Sequence, residues 1–94
     1  MRIYISGAIT GVDNAKEHFN RAEKNLIAVG HEPINPTKFD DILPQLTYEE
    51  YMKLDLTLLD MCDAIYMLEG WQKSFGANRE YGYALAKGIK IVEE

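Results

Sequence analysis

The sequence predicts an α/β fold: a short parallel sheet of about four strands, with helices on both of its faces. Three observations support this prediction. Strand-like and helical segments alternate along the whole chain, apolar residues recur at helical spacing, and capping residues mark the helix ends. Strands that are joined through helices pair in parallel through right-handed crossovers, so both faces of the sheet are covered.

The first strand and the first helix are predicted from apolar patterns. Residues 2–6 form a β-rich apolar run that stops at Gly7. Residues 13–29 predict a helix, because apolar side chains recur there at steps of three and four. Asp13 or Asn14 is placed to cap the start of this helix.

The middle of the chain predicts a short strand, a loop and a second helix. Residues 31–36 form an extended piece that ends in proline, which favours an edge strand or a strand end. A loop over 37–46 follows. Thr47 and Glu50 then fit a capping box, so the second helix begins there and runs to about Asp60.

The last third of the chain predicts the remaining strands and the third helix. Residues 62–68 form an apolar strand, and 69–73 form a loop. Ser74 caps the third helix and Gly88 closes it, because serine accepts hydrogen bonds at helix starts and glycine suits the position past the end. A short strand over 89–92 follows, and we expect one domain over residues 1–94.

Composition excludes several classes of function. The chain has 94 residues, 15 of them acidic and 10 basic, and lacks a dense basic patch, which argues against binding of duplex nucleic acid. Cys62 is the only cysteine, so no intrachain disulfide forms. The sequence shows no signal peptide and no membrane-spanning run, and we expect a cytoplasmic protein. Because so short a chain buries little surface, we also expect a homo-oligomer, a dimer or higher.

The predicted fold places three loops at one edge of the sheet. Ligands of open α/β sheets bind beyond the carboxyl ends of the strands. Residues 7–11, 35–46 and 69–76 should therefore surround one crevice.

Two acidic residues interrupt the apolar faces of the helices that flank this crevice. Asp55 lies in the middle of the apolar stripe of the second helix, and Glu80 lies between Ala77 and Ala84 on the packed side of the third helix. Each alone could be a solvated or capping carboxylate. Together they predict a pair for acid/base or nucleophilic chemistry.

The start of the third helix is a candidate ligand site. Ser74 offers a hydroxyl, and Gly76 lies in the first turn, where backbone N–H groups have no partner in the helix. An ordinary serine cap is the alternative. Trp71, in the preceding loop, could stack on a base or cover the core.

The chain resembles the nucleoside 2-deoxyribosyltransferase-like superfamily, in particular a small bacterial and phage branch of it. Four segments carry the resemblance across almost the whole chain. They are Tyr4-Ile5-Ser6-Gly7-Ala8-Ile9-Thr10-Gly11, Asn35-Pro36, Asp55-Leu56-Thr57-Leu58-Leu59-Asp60-Met61-Cys62-Asp63 and Ser74-Phe75-Gly76-Ala77-Asn78-Arg79-Glu80. Gly88 also belongs to the resemblance. The Ser-x-Gly-x-x-x-Glu segment is the most specific of them.

The resemblance implies a flavodoxin-like, three-layer fold and cleavage or transfer at the N-glycosidic bond of a nucleoside or nucleoside 5′-monophosphate. It implies that Glu80 attacks the anomeric carbon, that Asp55 assists at the base or orients the sugar, and that Tyr4 lies near the nucleophile. Ser74 would contact a phosphate or hydroxyl. Substrate contacts are further expected at Gly7, Thr10, Gly11, Asn35, Trp71 and Gly76.

The reaction needs no metal or cofactor, and two isolated histidines do not suggest a metal site. We expect Glu80 to be ionised near the helix start and Asp55, the more buried of the two, to have the raised pKa of a proton donor. Ala8 stands where relatives often have proline or serine, and longer relatives continue past Val92. The alternatives are a non-catalytic nucleotide-binding or sensing module and a small interaction protein with a vestigial crevice.

Overall fold

The computed structural model of the chain is a three-layer α/β/α sandwich around a four-stranded, all-parallel sheet. It describes residues 1–43 and 45–94. Pro44, in the predicted loop, lies outside the described residues. The strands and helices are β1 (Arg2–Ser6), α1 (Ala15–Ala28), β2 (Glu32–Ile34), α2 (Tyr48–Asp60), β3 (Ala64–Met67), α3 (Phe75–Lys87) and β4 (Lys90–Glu93).

The strand order is β2-β1-β3-β4, and the three strand pairs are parallel, which confirms the predicted parallel sheet. Strand β1 is central: Tyr4 pairs with Ile34 of β2 on one side and with Ile65 of β3 on the other. Strand β2 is an edge strand, as its Pro33 requires, because proline has no N–H to donate to a second neighbour.

The alternation of side chains along β1 separates two cores. On one face, Ile3 and Ile5 belong to a cluster against α1, which we call the α1-side core. It consists of Ile3, Ile5, Phe19, Ala22, Leu26, Ala64 and Leu68. On the other face, Tyr4 belongs to the α2/α3-side core, which consists of Tyr4, Leu59, Cys62, Ile65, Met67, Trp71, Ala77 and Ala84.

The predicted caps hold at two helices and fail at one. The Thr47 hydroxyl accepts from the Glu50 N–H while the Glu50 carboxylate accepts from the Thr47 N–H, which completes the capping box of α2. Ser74 accepts from the N–H of Ala77 at the start of α3. The side-chain cap predicted for α1 was wrong: Asn14 takes the N-cap position, but its left-handed backbone gives no side-chain cap hydrogen bond.

Two strands are shorter than predicted. The 31–36 segment ends as a strand at Ile34, because the Asn35 side chain accepts from the Thr37 N–H and starts a 3₁₀ helix, Pro36–Asp41. The 62–68 strand begins only at Ala64. Cys62 still belongs to the exit turn of α2, where its N–H donates to the carbonyl of Leu59.

Candidate active site

A cavity of about 670 Å³ opens where β1 ends, between the first loop, α2 and the start of α3. This is the edge at which the sequence predicted a crevice. Its lining comes from those segments together with single residues of α1 and the 3₁₀ helix, and includes both Asp55 and Glu80.

Glu80 is the most deeply buried acidic side chain of the cavity, only 6% exposed. Small residues of α3, Ala77 and Ala84, bring this face of the helix close to the sheet. Both oxygens of the carboxylate accept short hydrogen bonds from β1. The Tyr4 hydroxyl donates to Oε2 and the Ser6 hydroxyl donates to Oε1, and the oxygen–oxygen distance is 2.6 Å in both bonds.

Burial raises the pKa of Glu80 to about 7, because a charged carboxylate is costly away from water. The hydrogen bonds from Ser6 and Tyr4 oppose this rise in pKa, and the negative charge of Asp55 adds to it. Near neutral pH the side chain therefore exchanges between a proton-carrying form and an ionised form, which is the range a group needs for nucleophilic or acid/base work.

Tyr4 is completely buried and keeps its proton. Burial and the charges of Glu80 and Asp55 raise the pKa of its hydroxyl well above the ordinary value. A hydroxyl that stays protonated is a permanent donor, so it stabilises the ionised form of Glu80.

Asp55 also reaches the Tyr4 hydroxyl, since a side-chain hydrogen bond with Asp55 contributes to the raised pKa of Tyr4. Asp55 lies on the face of α2 that lines the cavity, together with Tyr48, Tyr51 and Met52. Residues spaced by three, four and seven share one helix face, and this spacing puts the carboxylate beneath an apolar and aromatic wall.

The predicted order of burial of the two carboxylates was wrong. Asp55 is half-buried, whereas Glu80 is buried, and the pKa of Glu80 is raised rather than left at its ordinary value. The reason is tertiary. Glu80 faces the central strand across a tight helix–sheet contact, and that burial outweighs any lowering from the positive helix end.

Of the three residues of the first loop that were predicted to contact substrate, two line the cavity. Gly7 and Thr10 line it, whereas Gly11 does not. Gly11 has a left-handed backbone (φ +74°) within the turn in which the Val12 N–H donates to the carbonyl of Ile9. Gly7 also allows a close approach, because a Cβ there would lie 3.0 Å from Cβ of Leu68.

Asn35 and Trp71 are placed outside the cavity lining. The Asn35 side chain is used within the protein: its oxygen accepts from Thr37, and its amide donates to Asn20 and Glu23. It thereby joins the end of β2 to α1.

The Trp71 ring belongs to the core. It stacks on Tyr81 with ring centroids 4.7 Å apart, and its indole N–H donates to Glu93 over 3.2 Å. Of the two roles weighed for Trp71, the structure shows the packing role.

The start of α3 reaches the cavity with Lys73, Ser74, Phe75 and Gly76. The Ser74 oxygen accepts from the Ala77 N–H, which confirms the predicted cap, and a serine hydroxyl that accepts in this way can also donate its proton. A side chain at Gly76 would meet Met52 and Tyr48 of α2, at 3.4 and 3.7 Å from its Cβ. The missing side chain thus leaves space beside Met52 and Tyr48 at the cavity.

Sequence reasoning missed Ser6 and the aromatic members of the lining. The alternation of side chains along a strand could have predicted Ser6, because it lies two residues after Tyr4 and therefore faces the same side of the sheet. The aromatic residues it missed are Tyr48, Tyr51 and Phe75, all of which line the cavity, and Phe75 is 89% exposed. The Tyr51 hydroxyl donates to the carbonyl of Leu43, which ties the preceding loop to α2.

Within residues 1–43 and 45–94, no group of three or more His, Cys, Asp and Glu side chains could hold a metal ion. In the same part of the chain, no helix has both the length and the apolar character needed to cross a bilayer.

Comparison with known proteins gives a family and a fold. Residues 1–93 match the family described as a domain of unknown function, DUF4406. A search of curated proteins gives no significant match.

Two solved structures share the fold. One is the 2-deoxyribosyltransferase from the psychrotolerant bacterium Bacillus psychrosaccharolyticus, with TM-score 0.78 and 20% identity over 99% of this chain and 71% of that one. The other is the 2-desoxiribosyltransferase from Leishmania mexicana, with TM-score 0.74 and 22% identity over 98% of this chain and 62% of that one, less than two thirds of its length. The chain belongs to the DUF4406 family, and its fold is the flavodoxin-like fold of the 2-deoxyribosyltransferases.

Proposed function

We propose that the chain cleaves, or transfers the sugar at, the N-glycosidic bond of a nucleoside or nucleoside 5′-monophosphate, with Glu80 as the nucleophile. The observation that carries the proposal is the buried Glu80 carboxylate, held by two hydroxyls at the wall of a cavity that it shares with Asp55. A purely structural glutamate would have no need to line an open cavity beside a second acid.

The reaction begins when an ionised Glu80 attacks the anomeric carbon. The C1′–N bond breaks, its electron pair stays on the leaving base, and a C1′–O bond to Glu80 forms. Asp55 supplies the proton that the base nitrogen takes up. The aromatic wall of Tyr48 and Tyr51 beside Asp55 is suited to a planar base.

The second half of the reaction returns both acids to their starting forms. Water, or a second base, attacks C1′, gives its proton to the Asp55 carboxylate, and releases Glu80 as a carboxylate. Hydrolysis and base exchange differ only in this acceptor. We assign the binding of a sugar hydroxyl or a 5′-phosphate to Ser74, Lys73 and the N-terminal turn of α3, which line the cavity.

The raised pKa of Glu80 predicts the pH dependence. The attacking form is the carboxylate, so kcat/KM should rise about tenfold per pH unit below pH 7 and level off above it.

The test is a panel of nucleosides and 5′-monophosphates assayed for released base. We expect release by the wild type and a loss of about a thousandfold or more in Glu80→Gln, since the nucleophile is removed. Glu17→Gln makes the same change at an exposed position of α1; it is the matched control and should keep full activity.

Two other outcomes would point elsewhere. Thermal stabilisation by a nucleotide without any base release supports the binding or sensing module instead. If no member of the panel gave either base release or thermal stabilisation, both the enzyme and the nucleotide-binding module would be contradicted. The small interaction protein would then be the remaining alternative.

A further inference from the structure

Ser6 has the same relation to Glu80 as Tyr4. The two residues are separated by one position on β1, so their side chains leave the same face of the sheet. Ser6 is as buried as the surrounding core, at 1% exposed. At the end of a strand whose other buried residues are Ile3, Tyr4 and Ile5, a buried serine requires a partner, and that partner is Glu80 Oε1.

The Tyr4 and Ser6 hydroxyls donate to different oxygens of the Glu80 carboxylate. Each Glu80 oxygen accepts one bond of 2.6 Å, Oε2 from Tyr4 and Oε1 from Ser6. Both donors belong to one central strand that is paired on both sides, so their positions are rigid relative to each other. Two fixed donors on two oxygens determine the plane of the carboxylate, whereas one donor would leave it free to turn.

We propose that Ser6 is a positioning residue for Glu80, which holds the second carboxylate oxygen so that the nucleophile meets the substrate in a single orientation. This rests on the proposed function for its catalytic consequence, but the Ser6–Glu80 interaction itself can be tested without any substrate. Glutamate has three rotatable side-chain bonds, and orienting the reacting oxygen in advance removes part of the entropic cost of attack.

The interaction also affects the protonation of Glu80. Hydrogen bonds from Ser6 and Tyr4 lower the pKa that burial raises, and that of Ser6 is the larger of the two. The groups facing the carboxylate are the Tyr4 and Ser6 hydroxyls of β1 and the Asp55 carboxylate of α2. Without the Ser6 hydroxyl, Oε1 would lose its donor while staying buried, and the neutral form of Glu80 would be favoured.

The test follows the side-chain carboxyl carbon of Glu80 by NMR through a pH titration. In Ser6→Ala the midpoint should move upward by about 1–2 pH units, the size expected for one lost hydrogen bond to a charged group. Thr57→Ala removes a hydroxyl that donates to the carbonyl of Lys53 on exposed α2, and its Glu80 midpoint should equal that of the wild type. Ser6→Thr keeps the hydroxyl and should restore most of the wild-type midpoint.

Kinetics then separate positioning from substrate binding. If base release occurs, Ser6→Ala should lower kcat about 10–100-fold with KM nearly unchanged. The acid limb of its pH–rate profile should move to higher pH by the same number of pH units as the NMR midpoint of Glu80. A Glu80 midpoint in Ser6→Ala equal to that of the wild type would overturn the proposal, even if the wild type is active. A shifted midpoint in a protein that releases no base would keep the Ser6 assignment and reject the proposed function.

A measurement on the wild type covers the case in which Ser6→Ala does not fold. The hydroxyl proton of Ser6, held in a short buried bond, should give an NMR signal that shifts with the same midpoint as the Glu80 carboxyl carbon. A Ser6 signal that does not respond to the titration of Glu80 would equally overturn the proposal.

Discussion

The two faces of the central strand differ in what their buried side chains do. Toward α1, Ile3 and Ile5 belong to a core of buried apolar side chains. Toward α2 and α3, Tyr4 and Ser6 place two buried hydroxyls on the Glu80 carboxylate beside an open cavity. The same five-residue strand thus contributes a stabilising apolar face and a polar face that makes burial of a charge possible.

The comparison shows that the buried carboxylate and its two hydroxyl donors lie on one face of the sheet, although both faces pack an apolar core. The α1-side core gains free energy from removing apolar area from water. On the other face, keeping Glu80 charged opposes folding, because its pKa lies above the value of an unfolded chain. Substitutions on the two faces should therefore differ in sign and in pH dependence.

The largest change in stability is expected on the α1 side. Leu26→Ala should lower the free energy of unfolding by about 2–4 kcal/mol, through lost apolar burial and a cavity. Urea unfolding at pH 5 and pH 8 should give the same loss, because the buried members of this core are all apolar. A loss that changes with pH would break the distinction between the faces.

The opposite sign is expected at Glu80. Its folded-state pKa of about 7 exceeds the ordinary 4.5, so the folded chain binds more protons between these values and loses stability as pH rises through them. Glu80→Gln carries no charge and should be more stable than the wild type by about 1–3 kcal/mol at pH 8. This gain in stability should vanish near pH 4.5, and urea unfolding of both proteins between pH 4.5 and pH 8 measures it. If Glu80→Gln and the wild type were equally stable at pH 8, the raised pKa of Glu80 would be contradicted.

A smaller effect is expected where α3 faces the cavity. Gly76→Ala should raise the stability by about 0.5–1 kcal/mol, because alanine favours a helix and the added Cβ makes ordinary contacts with Met52 and Tyr48. It should also weaken ligand binding by narrowing the cavity. Gly82→Ala is the matched control: its Cβ would meet nothing within 4 Å, so it should give the stability gain without the loss of binding. Equal ligand affinity in both variants would contradict the assigned role of Gly76.

The smallest effect concerns the second acid. The negative charge of Asp55 is the least of the causes that act on the pKa of Glu80. Asp55→Asn should therefore lower the NMR midpoint of Glu80 by less than about one pH unit, the size of a charge–charge effect at a partly solvated site. A rise in the midpoint would show that Asp55 supports the charge on Glu80 instead of opposing it.

Much of the fold was predictable because it depends on local patterns. Apolar patterns together with turn and capping residues predicted the three α-helices and four strands of the described residues, and Thr47, Ser74 and Gly88 located helix ends to within a residue or two. Boundaries failed where a side chain started a different turn, as at Asn35, or where a helix exit turn extended toward the next strand, as at Cys62.

The candidate site was predictable in outline and not in detail. The interruption of apolar helix faces indicated Asp55 and Glu80, and both line the cavity. Asn35 and Trp71 could not be excluded from the sequence, since a buried asparagine network and an aromatic stack form only when distant segments meet.

The sequence alone determined the order of strands and helices, the parallel sheet and the edge at which its loops gather, because periodicity and capping act over a few neighbouring residues. Only the tertiary structure decided that Glu80 is buried more deeply than Asp55 and that Ser6 is the second donor to it. The depth of a side chain depends on how closely a helix approaches the sheet, and this is a property of β1, α2 and α3 packed together.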